Sequence, residues 1–193
     1  MGQAKRKQQE SYTYEDYLTW PDDERWEIID GEAYAMTPAP VLRHQTISLT
    51  LSYFVKDHFR GKQCKPFFAP TDVVFDETNV VQPDLLVVCD PHKTSNEKNI
   101  QGAPDLVVEV LSPSTRLKDR REKKLLYERF SVREYWIVYP DDELVERFTL
   151  VNGQFISAIF NWNETLPSSA FPELRIPLWE VFEKDEPTEV SHG

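Results

Sequence analysis

Apolar residues recur along this chain at two different spacings. From His44 to Phe59 the positions Ile47, Leu51, Phe54, Val55 and Phe59 follow one another at helical intervals, the stripe of an amphipathic helix. Gly61 stands where such a helix stops. Beyond it the pattern changes. DVVF (72–75), LLVV (85–88) and LVVEVL (106–111) are short runs rich in β-branched residues and bounded by Pro, Asn or Gly, which predicts buried strands. EYWIVY (134–139) is a fourth, closed by the solvated turn Pro140-Asp141-Asp142. Between the last two, SPST (112–115) offers cap and turn residues, and 116–130 reads as a charged helix.

The ends are less regular. SYTYEDYLTWP (11–21) predicts a short helix with Thr13 as its cap and Pro21 as its end. WEIIDGEAYAM (26–36) is two apolar runs around Asp30-Gly31, a hairpin signal, and TPAP (37–40) is a loop. Residues 144–182 start as a strand pair around Asn152-Gly153 and end in the short helix PLWEVFE. Residues 1–11 and 184–193 read as tails. The order helix, strand, strand, strand, helix, strand predicts an α/β (α+β) fold: a mixed β-sheet flanked by helices, with an N-terminal hairpin and a C-terminal strand extension, in a single domain over 1–193. A helix between the third and fourth of those strands predicts a right-handed crossover joining parallel neighbours.

Composition narrows the class. A chain of 193 residues, 40% hydrophobic and 12% aromatic, can bury one core. No run approaches the roughly 18 apolar residues a membrane span needs, and the polar start MGQAKRKQQE is no secretory signal. Cys64 and Cys89 form no CxxC pair, which excludes a zinc ribbon and gives little support to a disulfide framework. The plain expectation is a cytoplasmic, reduced, soluble protein. A net charge of −11 argues against a general nucleic-acid binder. Yet Arg116 to Arg133 holds eight basic residues against three acidic, a local +5 that leaves −16 for the rest. That strip suits a narrow contact with DNA and equally a solvated helix of mixed charge.

Two acids stand out by their settings. Asp84 follows Pro83 and opens LLVV. Glu109 interrupts the apolar run Leu106-Val107-Val108-Glu109-Val110-Leu111. A carboxylate inside a buried strand is costly unless a cation, a metal or donors compensate it; the ordinary alternative is an exposed edge strand or an arginine partner. On the helix that follows, about 100° per residue puts Leu126, Tyr127 and Phe130 within about 60° of Lys123, with Lys124 about 100° away. Lys123 therefore shares the stripe that packs on the sheet, unless its long side chain runs past the core to water. Arg116, Asp119 and Arg120 make the earlier turns of that stripe polar. Two carboxylates and a lysine have a joint chemistry: hard oxygen ligands hold Mg2+ or Mn2+, and the lysine orients water or stabilises developing phosphate charge. Trp136 and the other aromatics read as core and interface anchors. Ser112 and Ser114 read as cap and turn residues, since no histidine lies near them in sequence.

The Pro83-Asp84 pair, EVLSPST (109–115) and the set Lys123, Tyr127, Val132 and EYWIV (134–138) resemble the Uma-two restriction-endonuclease-like family of the PD-(D/E)XK nuclease superfamily. WEIIDGE (26–32) and the helix-opening His44 resemble its N-terminal half, so the likeness runs from about residue 13 to 182. It implies a restriction-endonuclease-like core and a metal-dependent DNA endonuclease. Asp84 and Glu109 would be the metal ligands, the Val110 carbonyl a third, and Mg2+ or Mn2+ the cofactor. The chain departs from the superfamily pattern two residues after Glu109, where Leu111 replaces the expected lysine. The resemblance implies that this lysine has moved to the helix, at Lys123, with Lys124 as the fallback. It also implies an extra acid from the first core helix, which here begins with His44; whether His44, Glu27 or Glu32 takes that role stays open. Two other functions compete: a catalytically silent interaction module that keeps the fold, favoured by the net charge and by Leu111, and a carboxylate-pair glycosidase, for which no sugar groove is indicated. DNA is the expected partner, no membrane is involved, and pairing as a homodimer would lengthen a short basic strip.

Overall fold

A computed structural model describes residues 11–21, 23–36, 41–112 and 119–188. In it, Asp30 (φ 51°) and Gly31 (φ 77°) both take positive φ, as the tight turn of a twisted hairpin requires. That turn joins β1 (Trp26–Ile29) to β2 (Glu32–Ala35) in antiparallel register. A Cβ on Gly31 would collide with Ser11, so no other residue fits there without a shift. The first helix, α1 (Tyr14–Tyr17), is shorter than its sequence suggests. Thr13 and Asp16 cap it reciprocally, side chain to backbone in both directions.

The strands fall into two main sheets. The larger has the order β11-β10-β9-β8-β6-β3, built from β3 (Lys65–Phe68), β6 (Leu85–Val88), β8 (Leu106–Val110), β9 (Glu134–Tyr139), β10 (Leu144–Val151) and β11 (Gln154–Asn161). The expected parallel neighbours are β8 and β9, and β6 and β8 run antiparallel. The smaller sheet has the order β2-β1-β5-β4-β7, with β4 (Val73–Asp76), β5 (Asn79–Val81) and β7 (Ile100–Gln101). The expected mixed sheet flanked by helices is present, without DVVF. DVVF leaves the larger sheet because the Asp76–Asn79 turn folds β4 back on β5, whose other edge is taken by β1. The strand pair around Asn152-Gly153 forms as expected, and β12 (Thr165–Pro167) pairs with β13 (Arg175–Pro177) beside it.

The continuous apolar runs are explained by cover on both faces of the larger sheet. Alternate residues point to opposite sides. Leu85, Val87, Val108, Val110 and Trp136 pack with Ile47, Leu51 and Val55 of α2 (Leu42–His58). Leu86, Val107, Tyr135 and Ile137 pack with Leu126 and Tyr127 of α3 (Lys124–Arg129). The first face also carries Leu178 and Val181 of α4 (Leu178–Val181), the expected closing helix. Ahead of α3, Asp119–Lys123 is a π-turn. The earlier part of that predicted helix, with Arg116, Ser114 and the basic residues around them, lies outside the described residues. So do TPAP and the terminal segments 1–10 and 189–193; of Asp119 and Arg120 only the backbone is described.

The cysteines are not free. β3 and β6 pair antiparallel with Lys65 opposite Val88, so Cys64 and Cys89 face each other one step further and are joined by a disulfide. The sequence expectation of reduced thiols failed because KPFF does not read as a strand. Pro66 sits on the outer strand of the sheet, where a missing N–H costs least. Among the described residues no helix is long and apolar enough to cross a membrane.

Candidate active site

The ladder between β6 and β8 sets Leu85 opposite Val108. Continuing that register by one step sets Asp84 opposite Glu109; the Glu109 side chain lies on the face that α3 covers, and Asp84, just ahead of β6, also reaches α2. The Val110 N–H, which has no backbone acceptor past the end of β6, donates to Asp84 Oδ2 at 2.7 Å. In an extended strand the N–H and C=O of one residue leave the same edge, so the Val110 carbonyl is also directed toward Asp84.

Glu109 is 4% exposed, and its compensation comes from the helix. Lys123 Nζ donates to Glu109 Oε1 at 2.8 Å, and the Tyr127 hydroxyl donates to the same oxygen at 2.8 Å. Residues four apart share a helical face, which is how one turn delivers both donors. Lys124 is turned elsewhere, its ammonium 4.8 Å from the centre of the Phe148 ring. Lys123 makes a second ion pair, with Glu27 Oε1 at 2.7 Å. Glu27 is wholly buried in β1 and its Oε1 also accepts from the Gln82 N–H at 3.0 Å. It reaches the cluster because Gln82-Pro83-Asp84 is where the smaller sheet hands over to the larger.

Asp84 has a second neighbour. His44, in the first turns of α2, brings Nε2 to 3.3 Å from Asp84 Oδ2. Its Nδ1 lies 3.4 Å from the Ser48 hydroxyl, and one neutral tautomer serves both contacts, with Nε2 donating and Nδ1 accepting. Asp84 and His44 are partly open to solvent, whereas Glu27, Glu109 and Lys123 are buried. Behind them Gln82 is a tie point. Its Oε1 accepts from Arg25 Nε at 2.9 Å, and its Nε2 donates to Asp72 Oδ1 at 2.8 Å and to the Tyr17 hydroxyl at 3.0 Å. Burial, and after it the Asp72 carboxylate, push the Tyr17 hydroxyl far above its ordinary value, so it stays a donor to Asp72.

The structure thus brings Asp84, Glu109, Val110 and Lys123 into one cluster and adds Glu27 and His44 from the open candidates. Glu32 is not part of it; exposed on β2, it accepts from the Tyr34 hydroxyl at 2.7 Å. Leu111, at the vacated lysine position, is buried in the core. Glu27 carries the signal that singled out Glu109, a carboxylate inside an apolar strand (WEII). Tyr127 is marked by sharing a face with Lys123 and by its place in the family pattern, neither of which gives it a role. A further buried carboxylate, Glu134, has an ordinary explanation: it accepts from Trp136 Nε1, Ser168 Oγ and the Ala170 N–H, tying the start of β9 to the loop after β12.

Among the described residues no three His, Cys, Asp or Glu side chains converge on one metal-sized point. A hard divalent cation does not require that. Mg2+ is commonly held by one or two carboxylates and completed by water and substrate phosphate. The partly open Asp84, the adjoining Glu109 and the Val110 carbonyl are an all-oxygen donor set of this type.

Comparisons with known proteins bear on the family and on the fold. The sequence profile of the Uma2 family, described as "putative restriction endonuclease", matches residues 14–178. The uncharacterized protein slr1290 of Synechocystis sp. is 37% identical over 116 residues, which cover 58% of this chain and 60% of that protein. The chain thus matches less than two thirds of that relative's length. Among solved structures, a "putative nuclease belonging to DUF820" from Anabaena variabilis superposes with a TM-score of 0.74 over 89% of this chain and 97% of the other, at 19% identity. At that identity the likeness is one of fold.

Proposed function

The chain belongs to the Uma2 family of restriction-endonuclease-like proteins, and on that premise we propose that it is a metal-dependent phosphodiesterase acting on DNA. The observation that carries the reading is Asp84 set beside the Glu109–Val110 step, its Oδ2 accepting from the Val110 N–H, with Lys123 and Tyr127 both bonded to Glu109. Asp84, Glu109 and the Val110 carbonyl would hold Mg2+ or Mn2+. The ion, when bound, supplies positive charge at the phosphate and makes water acidic enough to serve as a nucleophile near neutral pH. Tyr127 fixes the Glu109 carboxylate by its hydroxyl. Lys123 neutralises buried carboxylate charge and offers its ammonium to the water or to the negative charge that gathers on the phosphate. Glu27 holds Lys123 in place, and His44 holds Asp84.

The test is titration calorimetry with Mg2+ and Mn2+, together with a DNA cleavage assay. Wild type is expected to bind the ion and cut, and Asp84→Asn and Glu109→Gln to lose both while keeping their far-UV circular dichroism. The same null heats from wild type and both variants would end this reading. A second reading, a silent interaction module, is favoured by Leu111 in the core position and by Lys123 being held between two carboxylates. Metal binding without cleavage of any nucleic acid would select it.

A further inference from the structure

From Asp84 and His44 a groove of about 670 Å3 opens along the outer flank of α2. Its walls hold three large apolar side chains that stand in water: Leu49 (73% exposed), Tyr53 (63%) and Phe68 (60%). The core does not account for them, since α2 packs on the sheet through its opposite face, with Ile47, Leu51 and Val55. Leu49 and Tyr53 are one helical turn apart. Phe68 enters from the end of β3, where it pairs with Leu85, the residue after Asp84. The apolar wall is therefore continuous with Asp84 and extends from it for about 18 Å, taking about 1.5 Å per residue from His44 to Lys56.

The rim is cationic on balance, with three cations against Asp57 and Asp84. Arg25, Lys56 and Arg60 line the groove in a chain whose net charge is −11. Arg60 is paired with Asp57 at 2.8 Å, and Arg25 is oriented by its bond to Gln82. A second copy of the chain seated here across a two-fold axis would set these cations against themselves. A nucleic-acid strand satisfies both halves at once, with phosphates for the cations and base faces for the rings. Bases inside a duplex are stacked on one another and cannot lie on an aromatic wall.

We propose that this groove is a subsite for single-stranded nucleic acid, in which bases stack on Tyr53 and Phe68 while Arg25 and Lys56 take phosphates, so that the strand is led to Asp84. The direction of travel rests on the phosphodiesterase reading; binding in the groove does not. The experiment measures the two separately. Fluorescence anisotropy in EDTA, where no metal-dependent cut is made, follows a labelled 12-nucleotide DNA and the duplex of the same sequence; cleavage is then measured with Mn2+.

Wild type is expected to bind the single strand more tightly than the duplex. Tyr53→Ala and Phe68→Ala are expected to weaken single-strand binding by between about five- and a hundredfold each, the range for loss of one stacked base, with Lys56→Glu weakening it as well. Both rings are exposed, so thermal melts should match wild type. Single-strand affinity unchanged in Tyr53→Ala and Phe68→Ala overturns the proposal and leaves the phosphodiesterase reading standing if Asp84→Asn still abolishes cleavage. Ring-dependent binding with no Asp84-dependent cleavage keeps the groove and rejects that reading. Sedimentation showing a dimer that Leu49→Glu splits, with DNA affinity unaltered, makes the groove a subunit contact and also overturns the proposal.

Discussion

Lys123 is 2% exposed, with its ammonium within 2.8 Å of two buried carboxylates. Such a group is not worth much as an isolated attraction, because desolvation offsets most of the Coulomb gain. Its removal is another matter. Lys123→Met leaves Glu27 and Glu109 buried around an apolar chain, and breaking a buried pair costs roughly 3–5 kcal/mol. Lys124→Met removes only an ammonium over the Phe148 ring, worth about 0.5–1 kcal/mol. Urea unfolding of the two variants therefore separates the neighbouring lysines. Equal losses would mean that the two carboxylates do not depend on Lys123.

At the scale of elements, the turn between β4 and β5 is held by one carboxylate. Asp76 Oδ1 accepts from the Thr78 N–H (2.8 Å), the Thr78 hydroxyl (3.1 Å) and the Asn79 amide (2.8 Å). Burial raises its pKa, but Asn79, Thr78 and Arg129 together outweigh that and hold it below its ordinary 3.8. A depressed folded value means that the contribution to stability is present above the unfolded pKa and is lost as pH falls through the folded one. The stability difference between wild type and Asp76→Ala should accordingly be constant near neutrality and shrink as pH drops below about 4, as measured by thermal melts across pH. This turn matters to the site, because β5 leads through Gln82 and Pro83 directly into Asp84. A difference that stays level down to pH 2 would show that the turn does not rely on the charged carboxylate.

For the molecule as a whole, the acidic surface decides how a nucleic acid can be met. With a net charge of −11, phosphates are repelled by most of the surface and are drawn only where cations gather. The groove beside α2 offers two such cations, Arg25 and Lys56, since Arg60 is paired with Asp57. Counterion release then predicts a shallow salt dependence, a log–log slope of about −1.4 for two phosphates at about −0.7 each on a single strand. Affinities of the 12-nucleotide strand between 50 and 200 mM salt, conditions that cover the usual range, give that slope directly. A slope steeper than about −5 would require a broad basic surface instead.

Much of this was open to reading along the chain, and the reasons are local. LLVV and EYWIVY announce strands because both faces of their sheet are covered, which leaves no polar positions. Glu109 is conspicuous because a carboxylate inside such a run has no reason to be there without a partner. Helical period turns Lys123 toward the sheet, and the resemblance singles it out as the site lysine; the facing held, since Lys123 and Tyr127 reach one oxygen while Lys124 does not. What tertiary structure decided are the contacts between distant strands. DVVF and LLVV look alike, yet one turn at Asp76–Asn79 sends them to different sheets. Cys64 meets Cys89 through the register of β3, a strand with Pro in it that no apolar pattern marks. Glu27 and Glu32 sit on one hairpin, both open candidates in the sequence, and the junction of the two sheets buries the first beside Lys123 while the second is exposed. Periodicity identifies which side chains face a core; which distant carboxylates share a cation depends on strand register and sheet order, and these are properties of pairs of segments that no single segment encodes.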